Sequence, residues 1–358
     1  MHTLVSAFQN SLDQVWQPFA LIAGLLLIGR VAASDGLFEA IGGRLARVLG
    51  SSVAMFASLM VLVAAVTAVL NLDTSVVFLT PVLIHTARQR GLKEDAFIYG
   101  SIFMANGASL VLPGSNLTNL LVLSTTRLRP SVFASRMFFP WIASVVVITL
   151  VLSLWRWKDL RTPLQGSLES TPLRWGLGAV GIVVATVLVL VLANPALAIL
   201  ATGVALILVQ IPLTRRLTYL DARQSLNART LLLLLFVAVS FGVVARVWSG
   251  PARLMSSVGP WAAAGIGAGF ANLVNNLPAA VLLSSKPLHH PLALLIGLDL
   301  GPNLAVTGAL SSLLWLRIAR GEGIRPSVAR FTTIGIVVVP LSMAAALVTL
   351  RVVAPGSF

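Results

Sequence analysis

The chain has 358 residues, of which 57% are hydrophobic and only 10% are charged, and its mean hydropathy is +0.95. These values exclude an ordinary water-soluble globular protein and predict a polytopic α-helical membrane protein. The formal net charge is +14, but the basic residues lie in short loops between apolar runs, which encodes membrane topology rather than a nucleic-acid partner. The absence of cysteine excludes disulfides and thiolate metal sites.

A membrane span needs about 20 apolar residues. The uninterrupted stretches that meet this length are about 17–34, 131–154, 174–193, 195–212, 229–248 and 328–350. Two further crossings are predicted at 96–126 and 291–318, each broken by glycines. The sequence therefore predicts an all-α membrane protein with about eight full crossings.

Two other apolar stretches, 51–87 and 258–288, are split in the middle by NLDTS (71–75) and NNLP (275–278). Each half is too short to cross comfortably, which favours a re-entrant helical hairpin; two short spans joined by a tight turn are the alternative. Polar, helix-breaking sequence within hydrocarbon persists only where it lines a protected cavity.

The broken segments occur twice in the same order. The aligned pairs are NLDTSVVFL (71–79) with NNLPAAVLL (275–283), and GASLVLPGSNLTNLL (107–121) with GPNLAVTGALSSLLW (301–315). We expect two repeats, 13–155 and 227–353, joined by a linker with two connecting helices at 156–226. Three crossings per repeat and two in the linker make the second copy inverted, an arrangement typical of secondary transporters that work by alternating access.

Loop charge predicts the orientation of the chain. When the loops are assigned alternately to two faces, most of the 25 Lys and Arg residues fall on one face. The positive-inside rule makes that face cytoplasmic, with both termini outside a bacterial plasma membrane. Trp16, Trp155 and Trp248 stand at predicted span ends, as interfacial anchors do.

All but two of the eleven acidic residues lie in or beside loops; the exceptions are Asp73, at the first hairpin tip, and Asp299, before the glycine break of the second broken helix. A carboxylate at such depth is costly unless it is protonated, neutralised by a cation or used in function. We therefore predict proton coupling through both acids; for either one alone, a helix-capping role is the alternative.

Neutral polar residues and glycines surround these acids. The predicted substrate-binding residues are Asn71, Thr74, Ser75, Asn106, Gly107, Ser115, Asn116, Asn119, Asn275, Asn276, Gly301, Asn303, Thr307 and Gly308. Thr118, Ser311 and Ser312 are equally well explained as interhelical hydrogen-bonding groups. Because no Lys or Arg lies among them, a neutral polyol-like solute or a cation fits better than a multivalent anion.

The sequence predicts no enzyme, no cofactor and no metal site. The four histidines have no Asp or Glu at ligand spacing. Neither a His-Glu-x-x-His helix nor a Gly-x-Ser-x-Gly nucleophile turn is present. A membrane-embedded enzyme is retained as the alternative from a different functional class.

The second broken helix, IGLDLGPNLAVTGALSSLLWLRI (296–318), resembles the corresponding segment of the ArsB-type arsenical permeases of the ion transporter superfamily. The matching residues are Asp299, Leu300, Gly301, Pro302, Gly308, Leu313, Leu314 and Trp315. The hairpin tips and SNLTN (115–119) resemble the family in the same order. Leu72 and Asn303 depart from its pattern, which has asparagine and lysine there.

The resemblance implies efflux of arsenite or antimonite as a neutral trihydroxide in exchange for protons. The expected partners are this small solute, protons and membrane lipid; a soluble ATPase subunit and a homodimer are left open. The sodium-dicarboxylate and NhaD-type transporters are related, so a cation/proton antiporter or a small-anion transporter is the alternative. The doubled Ser-Asn-Thr signature of the sodium-dicarboxylate branch is missing, which favours protons.

Overall fold

A computed structural model of the chain describes residues 2–48, 50–126, 128–165, 175–192, 194–214, 217–226 and 228–358. In these ranges the secondary structure consists of α-helices and short 3-10 helices, without a strand. The predicted all-α class is therefore confirmed.

The helices follow the predicted order. The first group is α1 (His2–Ser34), α2 (Leu37–Val48), α3 (Ser52–Val69), α4 (Leu72–Gln89), α5 (Asp95–Gly107), α6 (Leu117–Ser124) and α7 (Pro130–Trp155). The connecting helices are α8 (Leu177–Val191), α9 (Ala196–Thr214) and α10 (Tyr219–Leu226). The last group is α11 (Ala228–Val247), α12 (Gly250–Met255), α13 (Pro260–Val274), α14 (Asn276–Leu283), α15 (Pro291–Leu300), α16 (Leu310–Gly321) and α17 (Val328–Val353). We call α1–α7 the first repeat and α11–α17 the second repeat.

Six helical stretches in the described part of the chain are long and apolar enough to cross a membrane. They are Phe8–Ser34, Ser52–Val69, Pro130–Trp155, Ala196–Thr214, Val328–Val353 and Tyr219–Val247, the last of which combines α10 and α11 on either side of residue 227, outside the described ranges. Two helices differ in length from the prediction, α3 among these six and α8 outside them. The arm α3 was expected to be too short, but at 18 residues it extends about 27 Å. Conversely, α8 has only 15 residues, about 22 Å, where a full span was expected at 174–193; residues 174 and 193 lie outside the described ranges.

Both hairpins turn on an asparagine. Asn71, between α3 and α4, has φ 136°, and Asn275, between α13 and α14, has φ 78°; among the described non-glycine residues these alone have positive φ. Asparagine tolerates this backbone because its side chain bonds locally. The Asn71 Oδ1 accepts from the Thr74 amide at 2.7 Å. The sequence alignment that paired these residues is thus matched by the backbone, whereas re-entrant placement of the hairpins in the bilayer stays a prediction.

Both predicted helix breaks are present. The helix α5 ends at Gly107 and α6 begins at Leu117, with a 3-10 turn at Pro113–Ser115 between them. In the second repeat α15 ends at Leu300 and α16 begins at Leu310, with 3-10 turns at Gly301–Leu304 and Val306–Gly308. The unwound backbone of each break therefore lies between two half-helices.

The repeats pack reciprocally. The equivalent helices α7 and α17 lie against each other, as do α1 and α11. The first hairpin packs through α4 against α16 of the second repeat, and the second hairpin packs through α14 against α6 of the first. This exchange is expected of two copies related by a pseudo-two-fold axis. The domain boundaries 13–155, 156–226 and 227–353 stay predictions.

A half-buried acid just after the end of α1, Asp35, binds the linker helices α8 and α9. Asp35 accepts from the Gly178 amide of α8 at 2.8 Å and from the Gln210 side chain of α9. Gln210 is almost completely buried, so the pair satisfies polar groups that would otherwise be costly inside the protein. The linker is thereby held against the first repeat.

Candidate functional site

The two hairpin tips and the second half-helices of both repeats meet at one small cavity of about 30 Å³. Its lining residues are Leu72, Asp73, Asn116, Leu117, Thr118, Leu234, Asn275, Asn276, Leu277, Ala309, Leu310 and Ser311. None of these is Lys or Arg. Segments separated by up to about 240 residues therefore build a polar but uncharged pocket around one carboxylate, Asp73.

Asp73 is half-buried in the first turn of α4. The positive end of the helix dipole favours a negative charge there. In the part of the chain that the structure describes, no side chain donates a hydrogen bond to it and no basic group lies within 4.0 Å. Asp73 therefore lines the cavity without a structural partner among the described side chains.

Asp299 lies behind the cavity wall and is only 1% exposed. Its Oδ1 accepts from Asn116 Nδ2 at 2.8 Å and from Thr118 Oγ1 at 2.6 Å, whereas Oδ2 is buried with no partner among the described residues. The position at the C-terminal end of α15 disfavours a charge, but the donors lie at the start of α6, where the helix dipole has the opposite sign.

Asn116 and Thr118 connect the two acids. Both line the cavity together with Asp73, and both donate to Asp299. The two carboxylates are consequently separated by the cavity and one layer of hydrogen-bonding side chains.

A second buried network joins the two helix breaks. Asn106 Nδ2 donates to Asn303 Oδ1 at 2.9 Å, and Asn303 Nδ2 donates to the Phe103 carbonyl at 3.0 Å. Ser311 Oγ, which lines the cavity, donates to Asn106 Oδ1 at 3.2 Å. The broken helices of both repeats are therefore linked by side chains that reach the cavity wall.

The first break is also held by its own polar residues. Ser109 Oγ accepts from Asn116 Nδ2 at 3.2 Å, and the Ser109 carbonyl accepts from Asn119 Nδ2 at 2.7 Å and from Ser115 Oγ. These bonds satisfy backbone groups that the interrupted helix leaves without partners. Ser109 was missed in the sequence, although the repeat alignment places it opposite Asn303.

The structure divides the predicted site residues into three groups. Asp73, Asn116, Asn275 and Asn276 line the cavity. Asp299, Asn106 and Asn303 lie one layer behind it, as described above. The remaining residues do not line the cavity: Asn71, Thr74, Ser75, Gly107, Ser115, Asn119, Gly301, Thr307 and Gly308.

This last group has identifiable contacts. Ser75 Oγ donates to the Val63 carbonyl at 3.4 Å across the first hairpin. The Gly107 carbonyl accepts from Ser144 at 3.0 Å. Gly301 packs against Ala268, where a Cβ would lie 2.5 Å from its Cα. The Thr307 side chain is exposed, and its carbonyl accepts from Asn275 Nδ2 at 3.1 Å.

Three side chains make contacts at the cavity or the second helix break that the sequence did not indicate. Thr118 and Ser311, which an interhelical role explained equally well, line the cavity and bond to Asp299 and Asn106. Asn272 donates to the Gly301 carbonyl at 2.8 Å and fastens the second break to α13. Its signal in the sequence is an asparagine three residues before the hairpin tip.

The two repeats differ at the buried acid. The alignment places Ser312 opposite Thr118 and Ala105 opposite Asp299. Ser312 Oγ is buried with no partner among the described residues, because the first repeat has no carboxylate at the position that it would address. Likewise, Leu277 stands opposite Asp73. Each repeat therefore contributes one acid: the first repeat contributes Asp73 from its hairpin, and the second contributes Asp299 from its broken helix.

Comparisons with known proteins agree with this architecture. A family model described as "Citrate transporter" matches residues 2–314. An arsenical pump membrane protein of Escherichia coli (strain K12) is 26% identical over 341 residues, covering 85% of this chain and 79% of that protein. An uncharacterized transporter of Mycobacterium tuberculosis is 27% identical over 374 residues, covering 92% and 84%.

A solved structure shares the fold. The crystal structure of the Alcanivorax borkumensis YdaH transporter, whose topology is described as unusual, superposes with a TM-score of 0.61. The two chains are 16% identical, and the match covers 98% of this chain and 87% of that one.

Proposed function

This chain belongs to the citrate transporter family and is a multi-pass membrane transporter, and on that premise we propose that it exports arsenite or antimonite in exchange for protons by alternating access. The single observation that carries the proposal is the connection between the acids. Asn116 and Thr118 line the cavity with Asp73 and hold Asp299 by hydrogen bonds.

The chemistry of the cavity supports a neutral solute. The hydroxyl oxygens of Thr118 and Ser311, whose protons are donated to Asp299 and Asn106, can accept from the hydroxyls of arsenous acid. The Asn275 amide nitrogen donates one N–H to the Thr307 carbonyl and has a second N–H for the solute. With no basic residue in the lining, an anion would lose its hydration without gaining a charge partner. A neutral trihydroxide loses much less hydration free energy on entering the cavity.

The acids supply the coupling. A proton arriving at Asp73 or Asp299 neutralises a carboxylate inside the membrane, which lowers the cost of the conformational change that moves it to the other face. The reciprocal packing of hairpins and half-helices supports alternating access, because exchanging the conformations of the repeats exchanges the open face. The proposal requires neither a soluble ATPase subunit nor a homodimer, since one chain builds the whole cavity.

The test is arsenite uptake into everted membrane vesicles under an imposed pH gradient. We expect wild-type vesicles to accumulate arsenite, and Asp299→Asn and Asp73→Asn each to reduce pH-driven uptake at least about tenfold, which corresponds to about 1.4 kcal/mol. The matched control is Glu39→Gln, an exposed acid on α2, which should transport normally. Undiminished pH-driven uptake by both asparagine variants would refute the coupling.

A small anion is the second candidate, because the matching family model is described as a citrate transporter. The same vesicles supplied with radiolabelled citrate distinguish the two. Saturable, arsenite-insensitive citrate uptake would establish the second candidate, whereas arsenite uptake without citrate uptake supports the first. The proposed orientation, with both termini outside a bacterial plasma membrane, is checked by cysteine labelling of each terminus, since the chain has no native cysteine.

A further inference from the structure

A basic groove lies at the far end of α16 from the cavity. It has a volume of about 640 Å³ and is lined by Leu220 and Arg223 of α10, Arg229 of α11, and Leu314, Arg317 and Ile318 of α16. All three arginines belong to the face that loop charge predicts to be cytoplasmic. The groove therefore lies where helix ends meet the membrane surface.

The arginines converge without acidic partners. All three are exposed, and none has a carboxylate within 4.0 Å in the described part of the chain. Elsewhere on the same face, Arg30, Arg88, Arg156 and Arg330 are each paired with Asp or Glu. The groove thus holds three uncompensated positive charges beside apolar side chains, which suits an amphipathic anion.

The apolar surface continues along α11 into the membrane region. Leu232, Leu233 and Phe236 are exposed and follow Arg229 at helix spacings of three, four and seven residues, so all four share one face. Arg229 and Phe236 are about 10 Å apart along the helix axis. A positive group at the interface followed by a lipid-facing apolar stripe matches a head group followed by an acyl chain.

We propose that this groove binds an anionic phospholipid, with the phosphate on Arg223, Arg229 and Arg317 and an acyl chain along Leu232, Leu233 and Phe236. Guanidinium groups bind phosphate oxygens in paired hydrogen bonds. Basic pockets between helices on the cytoplasmic side are a recognised setting for anionic head groups. An acidic protein segment would use the arginines but not the membrane-facing stripe.

The site is connected to the cavity through one helix. Ser311, in the first turn of α16, lines the cavity, whereas Leu314, Arg317 and Ile318 line the groove. A lipid held on Arg317 would thus restrain the half-helix that forms part of the cavity wall. The binding itself does not depend on which solute is transported.

The test is binding of phosphatidylglycerol to the full chain in phosphatidylcholine nanodiscs, followed by native mass spectrometry. We expect the wild-type protein to retain phosphatidylglycerol preferentially. Each arginine near the surface contributes about fivefold in affinity, so R223Q/R229Q/R317Q should lose about 100-fold. The charge-retaining variant R223K/R229K/R317K should keep most of the binding, which separates lost charge from lost folding.

The matched control is R44Q/R47Q/R325Q, which removes three exposed arginines of the same face outside the groove and should bind like wild type. An equal loss of phosphatidylglycerol binding in this control would mean that the lipid responds to the surface charge in general, which would overturn the proposed site. Retention unaffected by R223Q/R229Q/R317Q would also overturn it. Displacement of phosphatidylglycerol by millimolar inorganic phosphate would assign the site to a free anion, and stronger displacement by polyglutamate would assign it to an acidic protein.

Discussion

Thr118 Oγ1 donates a 2.6 Å hydrogen bond to Asp299 Oδ1 across the boundary between the two repeats. The acid of one broken helix is thereby held by the second half of the other. Any rearrangement that moves the repeats against each other must break or rebuild this bond. We therefore expect the Thr118 hydroxyl to influence transport more than folding.

Thr118→Val removes the hydroxyl while keeping the shape of the side chain. We expect uptake of the transported solute to fall about tenfold, because a hydrogen bond to a carboxyl group contributes about 1.5 kcal/mol or more. Vesicle uptake at a fixed pH gradient measures this. Thr118→Ser keeps the hydroxyl and should recover most of the activity; equal defects in both variants would contradict the prediction.

Ser312 is the residue of the second repeat that aligns with Thr118, and we expect its substitution to have the opposite effect. Its hydroxyl is buried without a partner in the described structure, so Ser312→Ala removes an unsatisfied polar group. We expect unchanged transport and equal or slightly higher thermal stability. A loss of uptake comparable with that of Thr118→Val would show that Ser312 acquires a partner in another conformation.

The Asn106–Asn303 pair should couple the two breaks energetically. Asn303→Leu leaves a buried amide of Asn106 without its acceptor, which we expect to destabilise the protein by about 1 kcal/mol. The double variant N106L/N303L should cost less than the sum of the single variants. Unfolding of the four proteins in mixed micelles measures the coupling, and strict additivity would show that the bond contributes nothing.

The close contact between α15 and α13 leaves no room for a side chain at Gly297. A Cβ at this position of α15 would lie 2.0 Å from the Ala264 carbonyl of α13. Gly297→Ala should therefore destabilise the protein by about 1–3 kcal/mol. Gly265→Ala on α13 is the control, because a Cβ there meets nothing within 4 Å. Thermal unfolding in detergent compares them; similar melting temperatures would contradict the packing argument.

Several features of the site were predictable from local sequence. Asparagine inside an apolar run marked both hairpin tips, and positive φ at Asn71 and Asn275 confirms them. Glycine-containing interruptions marked both broken helices. Other features were not predictable. Each hairpin half was expected to be too short to cross a membrane, but α3 is helical from Ser52 to Val69 and is long and apolar enough to do so.

The roles of individual polar residues needed the tertiary structure. Nothing in the sequence distinguished Thr118, which bonds to Asp299, from Ser312, whose hydroxyl is unpartnered. Of the fourteen residues predicted to bind substrate, few line the cavity, because caps and helix breaks need polar side chains for their own backbone groups. Asn119 and Ser115, for example, are used by the break itself.

The sequence by itself determined the membrane class, the positions of the breaks and the two acids within apolar runs, because these depend on hydropathy and backbone preferences over a few neighbouring residues. Only the tertiary structure decided that Asp73 lines the cavity while Asp299 lies behind it. That distinction arises because each hairpin packs against the half-helix of the other repeat. Contacts between residues about 180 positions apart, such as Thr118 and Asp299, follow from this packing and leave no local signal in the chain.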